Sequence, residues 1–165
     1  MMAMKRLNQF LHNQNGRWHY VRRVPEHVAN IDQRSMIRTS LRTCSLELAR
    51  KRRDAMVEAD DAYWASLIEA GASDANGSAD TISISRYRAS KERAMARGYI
   101  YTPVNQLAES AQVTDILSRL TDALKVPVRD QKEEVEALLG GTTPKKLKIS
   151  KAFDLYWFGK QILPQ

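Results

Sequence analysis

Arginine and lysine side chains, which can neutralise phosphate groups, are concentrated in the first third of the 165-residue sequence. Residues 1–53 hold 12 Lys and Arg against three acidic residues and have a net charge of +9, whereas the remaining 112 residues have a net charge of −2. A positive surface confined to one small module is typical of proteins that bind a nucleic-acid backbone. We therefore predict a nucleic-acid partner, and the expected one is double-stranded DNA, whose major groove a β-sheet can enter. The candidate contact residues are Arg17, His19, Arg22, Arg23, Arg38, Arg42, Lys51, Arg52 and Arg53.

Other kinds of chemistry find little support in the residues. His12, His19 and His27 are spaced seven and eight residues apart, which does not gather them on one element, and no Cys/His cluster has zinc-ligand spacing. Cys44 has no neighbouring base that would activate it as a nucleophile. Paired catalytic carboxylates and glycine-rich phosphate loops are absent from the sequence. We expect no catalytic residue, no metal and no cofactor.

The composition is that of an ordinary globular protein, 43% hydrophobic and 27% charged, with room for one domain or two small ones. No window approaches the run of about 18 apolar residues that a membrane span needs, and the first residues lack the apolar run of a signal peptide. A single cysteine cannot form an internal disulfide, which favours a reducing compartment. The expected location is the cytoplasm, with no membrane partner.

The basic segment is predicted to form three antiparallel strands. Residues 5–12 and 17–24 are rich in β-formers, and residues 13–16 between them suit a hairpin loop. Pro25 ends the second strand because it lacks an amide donor. After a turn or short helix at 26–32, a third strand is expected from about Ser35 to Leu41.

Strand periodicity divides the side chains of this sheet between two faces. The sequence does not decide which of the two faces contacts DNA, because both faces carry arginine. The second strand places Arg17, His19 and Arg23 on one face and Trp18, Tyr20 and Arg22 on the other, and the third separates Met36, Arg38 and Ser40 from Ile37, Thr39 and Leu41.

A long helix from Ser45, a good N-cap, to about Ala70 is predicted to cover the inner face with an apolar stripe that includes Ala49, Met56 and Tyr63. The predicted class is therefore α+β, with the sheet and this helix forming a module over residues 1–70. A linker is expected at 71–80, a helical connector at 81–140, a second linker at 141–150 and the start of another helical unit at 151–165. Within the connector we expect helices at 85–97, from 103 to 109 or further, at 111–124 and at 130–139, with a proline in the first helical position at Pro103.

Two runs in the basic module, W-x-Y-x-R-R-V-P from Trp18 to Pro25 and I-R-x-S-L-x-T from Ile37 to Thr43, resemble the N-terminal region of phage-type integrases of the tyrosine recombinase family. The stretch ERAMARGYIYTPVNQLAE is similar to the linking helical segment of these integrases, and KISKAFDLYWF is similar to the opening of their core-binding domain. The resemblance implies a small sheet-and-helix module that binds arm-type DNA sites. It also implies that other recombinase protomers are partners of this chain.

The family's arginine-histidine-arginine-tyrosine constellation lies in a later catalytic domain and has no counterpart in this sequence. The resemblance therefore implies DNA binding in site-specific recombination and DNA integration, without strand cleavage, and we expect the chain not to be an enzyme. If about four phosphates are neutralised, the logarithm of the affinity should fall with the logarithm of the salt concentration at a slope of roughly −3.6.

Two other functions remain open on the residues alone. The helices after residue 100 could form a protein-interaction module for recombinase assembly. Alternatively, Trp18 and Tyr20 could be stacking platforms for single-stranded nucleic acid, which requires both rings to be exposed. The run of basic residues at 50–53 is equally compatible with a phosphate clamp and with a solvated helix face. A second cluster, Arg86, Arg88, Lys91, Arg93 and Arg97, favours an exposed mixed face over an extension of the DNA surface.

Overall fold

A three-stranded antiparallel sheet packed on a long helix, with further helices after it, forms the α+β fold predicted from the sequence. The structure is a computed structural model that describes residues 7–72 and 78–144. A 3₁₀ turn at Glu26–Val28 connects the second and third strands. The strands are β1 Leu11–Gln14, β2 Arg17–Arg23 and β3 Met36–Ser40, and the helices are α1 Leu46–Ala72, α2 Ser78–Ala96, α3 Val104–Ser110, α4 Val113–Leu124 and α5 Val128–Leu138.

The β1–β2 hairpin turns over two residues, because Gln14 pairs directly with Arg17. Asn15 and Gly16 both have positive φ, 52° and 79°, as a tight hairpin of this twist requires. The predicted four-residue loop was therefore too long, since its first two residues belong to β1. The predicted first strand was placed too early, since β1 begins at Leu11; residues 5 and 6 lie outside the described residues.

The main core lies between the inner face of the sheet and α1. Tyr20 and Leu41 are fully buried, and Met56 is 1% exposed and Trp64 3% exposed on α1. Burial of each such side chain stabilises the fold by about 1.5–3 kcal/mol. The predicted N-cap is confirmed, because the Ser45 hydroxyl accepts the Leu48 amide at 3.3 Å.

Helix α2 lies along α1, and α5 contacts both α2 and α4. Helix occupies both ends of the predicted linker at 71–80, since α1 reaches Ala72 and α2 begins at Ser78; residues 73–77 lie outside the described residues. Residues 145–165, which include most of the second predicted linker and the whole of the last predicted helix, also lie outside them. Pro103 precedes α3 as its N-cap, with ψ at 144°, so its prediction as the first helical residue was wrong.

Gly140 lies where the chain after α5 contacts the start of α3. It has a φ of +70°, and a Cβ added there would lie 1.9 Å from the Thr102 carbonyl oxygen and 2.7 Å from the Val104 amide nitrogen. The Val104 amide donates to the Gly140 carbonyl at 3.0 Å. Only glycine allows the two backbones to approach this closely.

A buried ion-pair cluster fixes the β2–β3 loop against the helices. Both Nε and Nη2 of Arg34 donate to Asp32, at 2.8 and 2.6 Å, while Nη1 donates to Asp130 of α5 at 3.1 Å. The Trp64 indole also donates to Asp32, at 2.8 Å. Because every charge in this cluster has a hydrogen-bonded partner, the cluster joins three parts of the chain without leaving an isolated buried charge.

Arginines of the helical segment bind the outer edge of β3. Backbone groups of residues 35 and 41 bond to β2, so those of Met36 and Ser40 point away from it. Arg97 donates to the Ser40 carbonyl at 2.8 Å, and Arg129 donates to the Met36 carbonyl at 3.4 Å. The helices after residue 77 are therefore attached to the sheet as well as to α1.

Candidate nucleic-acid interface

The face of the sheet turned away from α1 carries most of the exposed cationic side chains of the strands. Strand alternation places Trp18, Tyr20 and Arg22 on one face, as predicted, and the structure turns that face toward α1 and the intervening residues outward. None of the outward side chains is acidic. This outer sheet face consists of His12, Gln14, Arg17, His19, Val21, Arg23, Met36, Arg38 and Ser40.

Three guanidinium groups on the outer sheet face are available to a ligand. Arg17 and Arg23 are exposed at the two ends of β2, and Arg38 is exposed between them on β3. Arg38 donates to the Gln14 side-chain oxygen at 2.9 Å, a neutral partner that leaves its charge uncompensated. Among the described residues none of the three forms an ion pair.

Two histidines lie opposite each other on the outer sheet face, because His12 of β1 pairs with His19 of β2. Partial burial lowers the pKa of His19 below its ordinary value, and the positive charge of Arg38 and the neighbouring His12 lower it further. The unliganded face therefore disfavours a proton on His19. An anion bound here would reverse that preference by stabilising the imidazolium form.

A groove of about 500 Å³ runs between the outer sheet face and the turn that joins α4 to α5. Arg97, which is buried, is one of its lining residues and donates to the Thr39 hydroxyl at 2.9 Å and to the Asp122 carbonyl at 3.1 Å. The sheet side is lined by Arg17, His19, Arg38, Ser40 and Arg42, and the helix side by Asp122, Lys125, Val126 and Pro127.

Asp122, the one acidic side chain among the residues lining this groove, is already neutralised. It accepts hydrogen bonds from Arg42, from the Tyr99 hydroxyl and, at 3.1 Å, from Lys125. Burial alone would raise the pKa of Asp122, but the hydrogen bonds from Tyr99 and Lys125 outweigh it and lower the pKa. The groove therefore keeps a net positive charge.

Four of the predicted contact residues do not join the outer sheet face. Arg22 points toward α1, where it donates to Asp61 at 2.8 Å and lies 4.6 Å from the centre of the Trp64 ring. For the basic run on α1, the sequence left two roles open, a phosphate clamp and a solvated helix face. Arg52 and Arg53 have neither of these roles. Lys51 is exposed, but on α1, the layer behind the sheet.

Arg52 and Arg53 use their guanidinium groups to hold neighbouring backbone. Arg52 donates to the Leu41 carbonyl at 2.6 Å and to the Arg42 carbonyl at 3.2 Å, which fixes the loop before α1. Arg53 donates to the carbonyls of Leu7 and Gln9, at 3.1 and 2.7 Å, and so holds the turn before β1. These two residues stabilise the module and lie outside the candidate interface.

The structure thus brings together five of the nine predicted contact residues. Arg17, His19, Arg23 and Arg38 share the outer sheet face, and Arg42, whose side chain is 41% exposed, lies at its border beside Asp122. Lys125 was missed by sequence reasoning, since nothing in its local sequence indicates that residues 122–127 face β3. In the second basic cluster, Arg93 and Arg97 are buried, while Arg86, Arg88 and Lys91 are exposed as predicted.

The aromatic residues of β2 are built into the core. Tyr20 is fully buried and donates its hydroxyl to Asp60 at 2.7 Å, and burial raises the pKa of both groups. Trp18 is half-buried, with its indole nitrogen donating to the Cys44 carbonyl at 3.2 Å. The exposed pair of rings that single-strand stacking requires is therefore not present.

Within residues 7–72 and 78–144, no group of three or more His, Cys, Asp or Glu side chains has an arrangement that could hold a metal ion. None of the helices in the same residues is long and apolar enough to cross a membrane.

The fold and the outer sheet face together define the class of protein: a small α+β module whose outer sheet face is basic and carries no acidic side chain. Residues 10–68, which contain all three strands and most of α1, match the protein family described as a domain of unknown function, DUF6538. The match stops before α2, so α2–α5 and the helix side of the groove lie outside it. Comparison with curated proteins and with solved structures gave no match.

Proposed function

We propose that this protein binds double-stranded DNA through the outer sheet face and does so in site-specific recombination, without cleaving DNA itself. The observation that carries the proposal is the set of three arginines without ion-pair partners, together with two histidines, on a face whose strands present no acid. Phosphate contacts of this kind position a protein on DNA, and side chains between them read the bases.

The dimensions of β2 suit the major groove. Six steps of about 3.3 Å place the Cα atoms of Arg17 and Arg23 roughly 20 Å apart, whereas the major groove is about 12 Å wide. Arginines at the two ends of the strand can therefore reach phosphates on both sides of the groove. His19 and Val21, which lie between them on β2, would face the base edges.

The recombination context rests on the integrase-like motifs of the basic module, and the cytoplasm is the proposed compartment because Cys44 is the single cysteine of the chain. The proposed partners are a DNA duplex and, in assemblies, recombinase protomers. The role proposed for this chain is recognition of DNA.

Fluorescence anisotropy with a labelled duplex, measured over a series of salt concentrations, tests the proposal. With Arg17, Arg23 and Arg38 each neutralising one phosphate, the expected slope of log affinity against log salt is about −2.7, and a fourth contact would make it about −3.6. Arg38→Gln should make the slope less steep by about 0.9, whereas the matched change Lys51→Gln on α1 should leave it unchanged. Absence of salt-sensitive affinity for any duplex, including attachment-site DNA, would refute the proposal.

A second candidate function, protein interaction, is favoured by one face of α4. Val113, Leu117 and Leu124 lie at helical spacing on the same side and are all more than half exposed, while Arg119 and Asp122 on the opposite side are buried. Exposed apolar stripes of this kind are typical of protein interfaces. Light scattering distinguishes the two functions: an oligomer that Leu117→Glu dissociates supports assembly through α4, and a strict monomer with tight DNA affinity contradicts it.

A further inference from the structure

The basic groove is shared between two parts of the chain that are distant in sequence. Arg17, His19 and Arg38 belong both to the outer sheet face and to the groove lining, whereas Lys125 and Pro127 come from the α4–α5 turn. The sheet surface proposed to meet DNA therefore does not end at β3. It continues into a groove whose far wall is supplied by the helical segment.

The far wall is fixed in place by contacts on both sides of the turn. Before it, the Asp122 carbonyl accepts from Arg97, which also holds Thr39 of β3. After it, Arg129 donates to the Met36 carbonyl, and Val126 is buried. A wall that is already held at this distance from the sheet loses little conformational entropy when a ligand enters.

We infer that one phosphodiester strand of the bound duplex lies in this groove and that Lys125 is a DNA contact contributed by the helical segment. This inference rests on the proposed function and extends it beyond the sheet. It makes the interface bipartite, with Arg17 and Arg38 on one side of the backbone and Lys125 on the other.

The charges of the groove select for a phosphate backbone. The Lys125 side chain is 65% exposed, so its ammonium group can shift from Asp122 to a phosphate at small cost. Asp122 keeps Arg42 and Tyr99 as hydrogen-bond donors when Lys125 moves, and so does not become an unpaired buried charge. A ligand with regularly spaced negative charges can engage the two walls and the exposed sheet arginines at once, which a single small anion cannot.

The test compares Lys125→Gln with Lys132→Gln, a matched neutralisation of an exposed lysine on α5 that does not line this groove. In anisotropy titrations with a labelled duplex, Lys125→Gln should make the salt slope less steep by about 0.9, which corresponds to roughly eightfold weaker binding at about 0.1 M salt. Lys125→Arg should restore the slope, and Lys132→Gln should match the parent. Both positions are exposed, so all variants should melt at the parent temperature.

The possible outcomes separate this inference from the proposed function. If the parent binds no duplex, the proposed function fails and the inference fails with it. If the parent binds and Lys125→Gln has the parent slope, or if Lys132→Gln loses as much as Lys125→Gln, only the inference is overturned. Competition with a deoxymononucleotide provides a further arm. Weak competition that Lys125→Gln leaves unchanged supports a backbone site. Tight competition that Lys125→Gln abolishes overturns the inference in favour of a small-anion site.

Discussion

Arg53→Ala should destabilise the protein without changing the salt dependence of DNA binding. The Arg53 side chain is 11% exposed, and one of its nitrogens, Nη1, donates to two carbonyls of the turn before β1. Hydrogen bonds to a charged group contribute about 1.5–3 kcal/mol each, so losing two that are only partly buried should cost roughly 3 kcal/mol. Its ion pair with the exposed Asp54 adds little.

The assay is thermal unfolding followed by circular dichroism, with Lys51→Ala as the neighbouring control. A change of about 1 kcal/mol shifts the melting temperature by roughly 2–4 °C in a protein of this size, so Arg53→Ala should melt about 6–12 °C below the parent. Lys51→Ala removes the same charge from an exposed site of α1 and should melt within about 2 °C of the parent.

DNA titration of the same two variants completes the comparison. If Arg53 is structural, the folded fraction of Arg53→Ala binds duplex with the parent slope. A variant that melts with the parent but binds with a slope less steep by about 0.9 would show that Arg53 contacts phosphate and does not stabilise the turn before β1.

Three further predictions follow from the site and the core. DNA affinity should rise as the pH falls from 8 to 6, because a bound phosphate raises the pKa of His19 from its lowered value in the free protein; titrations of His19→Gln should show a weaker pH dependence. Gly140→Ala should lower the free energy of unfolding in urea by at least about 2 kcal/mol, since its Cβ meets backbone, whereas Gly141→Ala, whose Cβ would come no closer than 3.5 Å to another atom, should be near neutral. Tyr20→Phe should cost about 1–3 kcal/mol in the same assay, because Asp60 stays buried without its 2.7 Å donor, and a parent-like midpoint would contradict that role.

The sheet could be predicted from the sequence because its signals are local. Alternation assigned the two faces of β2 and β3 correctly, and the N-cap at Ser45 is a short-range hydrogen bond. What alternation could not decide was which face α1 would cover, since both carry arginine. That depended on the apolar stripe of α1 meeting Tyr20 and Ile37.

The roles of individual arginines could not be predicted, because their partners are distant in sequence. Arg53 looks identical to Lys51 in a basic run, yet its carbonyl partners lie more than 40 residues earlier. Arg97 looked exposed within a charged cluster, but it reaches β3 across 57 residues. Lys125 was missed for the same reason, since its place in the groove depends on where α4 and α5 pack.

The arginines on the outer edge of β3 limit how copies of this chain can join. An open strand edge offers free carbonyl and amide groups to the next chain, and proteins commonly protect such edges against aggregation. Here Arg97 and Arg129 occupy the carbonyls of Ser40 and Met36. Extending the sheet from β3 would require both guanidinium groups to be displaced, and with them α5, which carries Arg129, and the end of α2, which Arg97 directly follows.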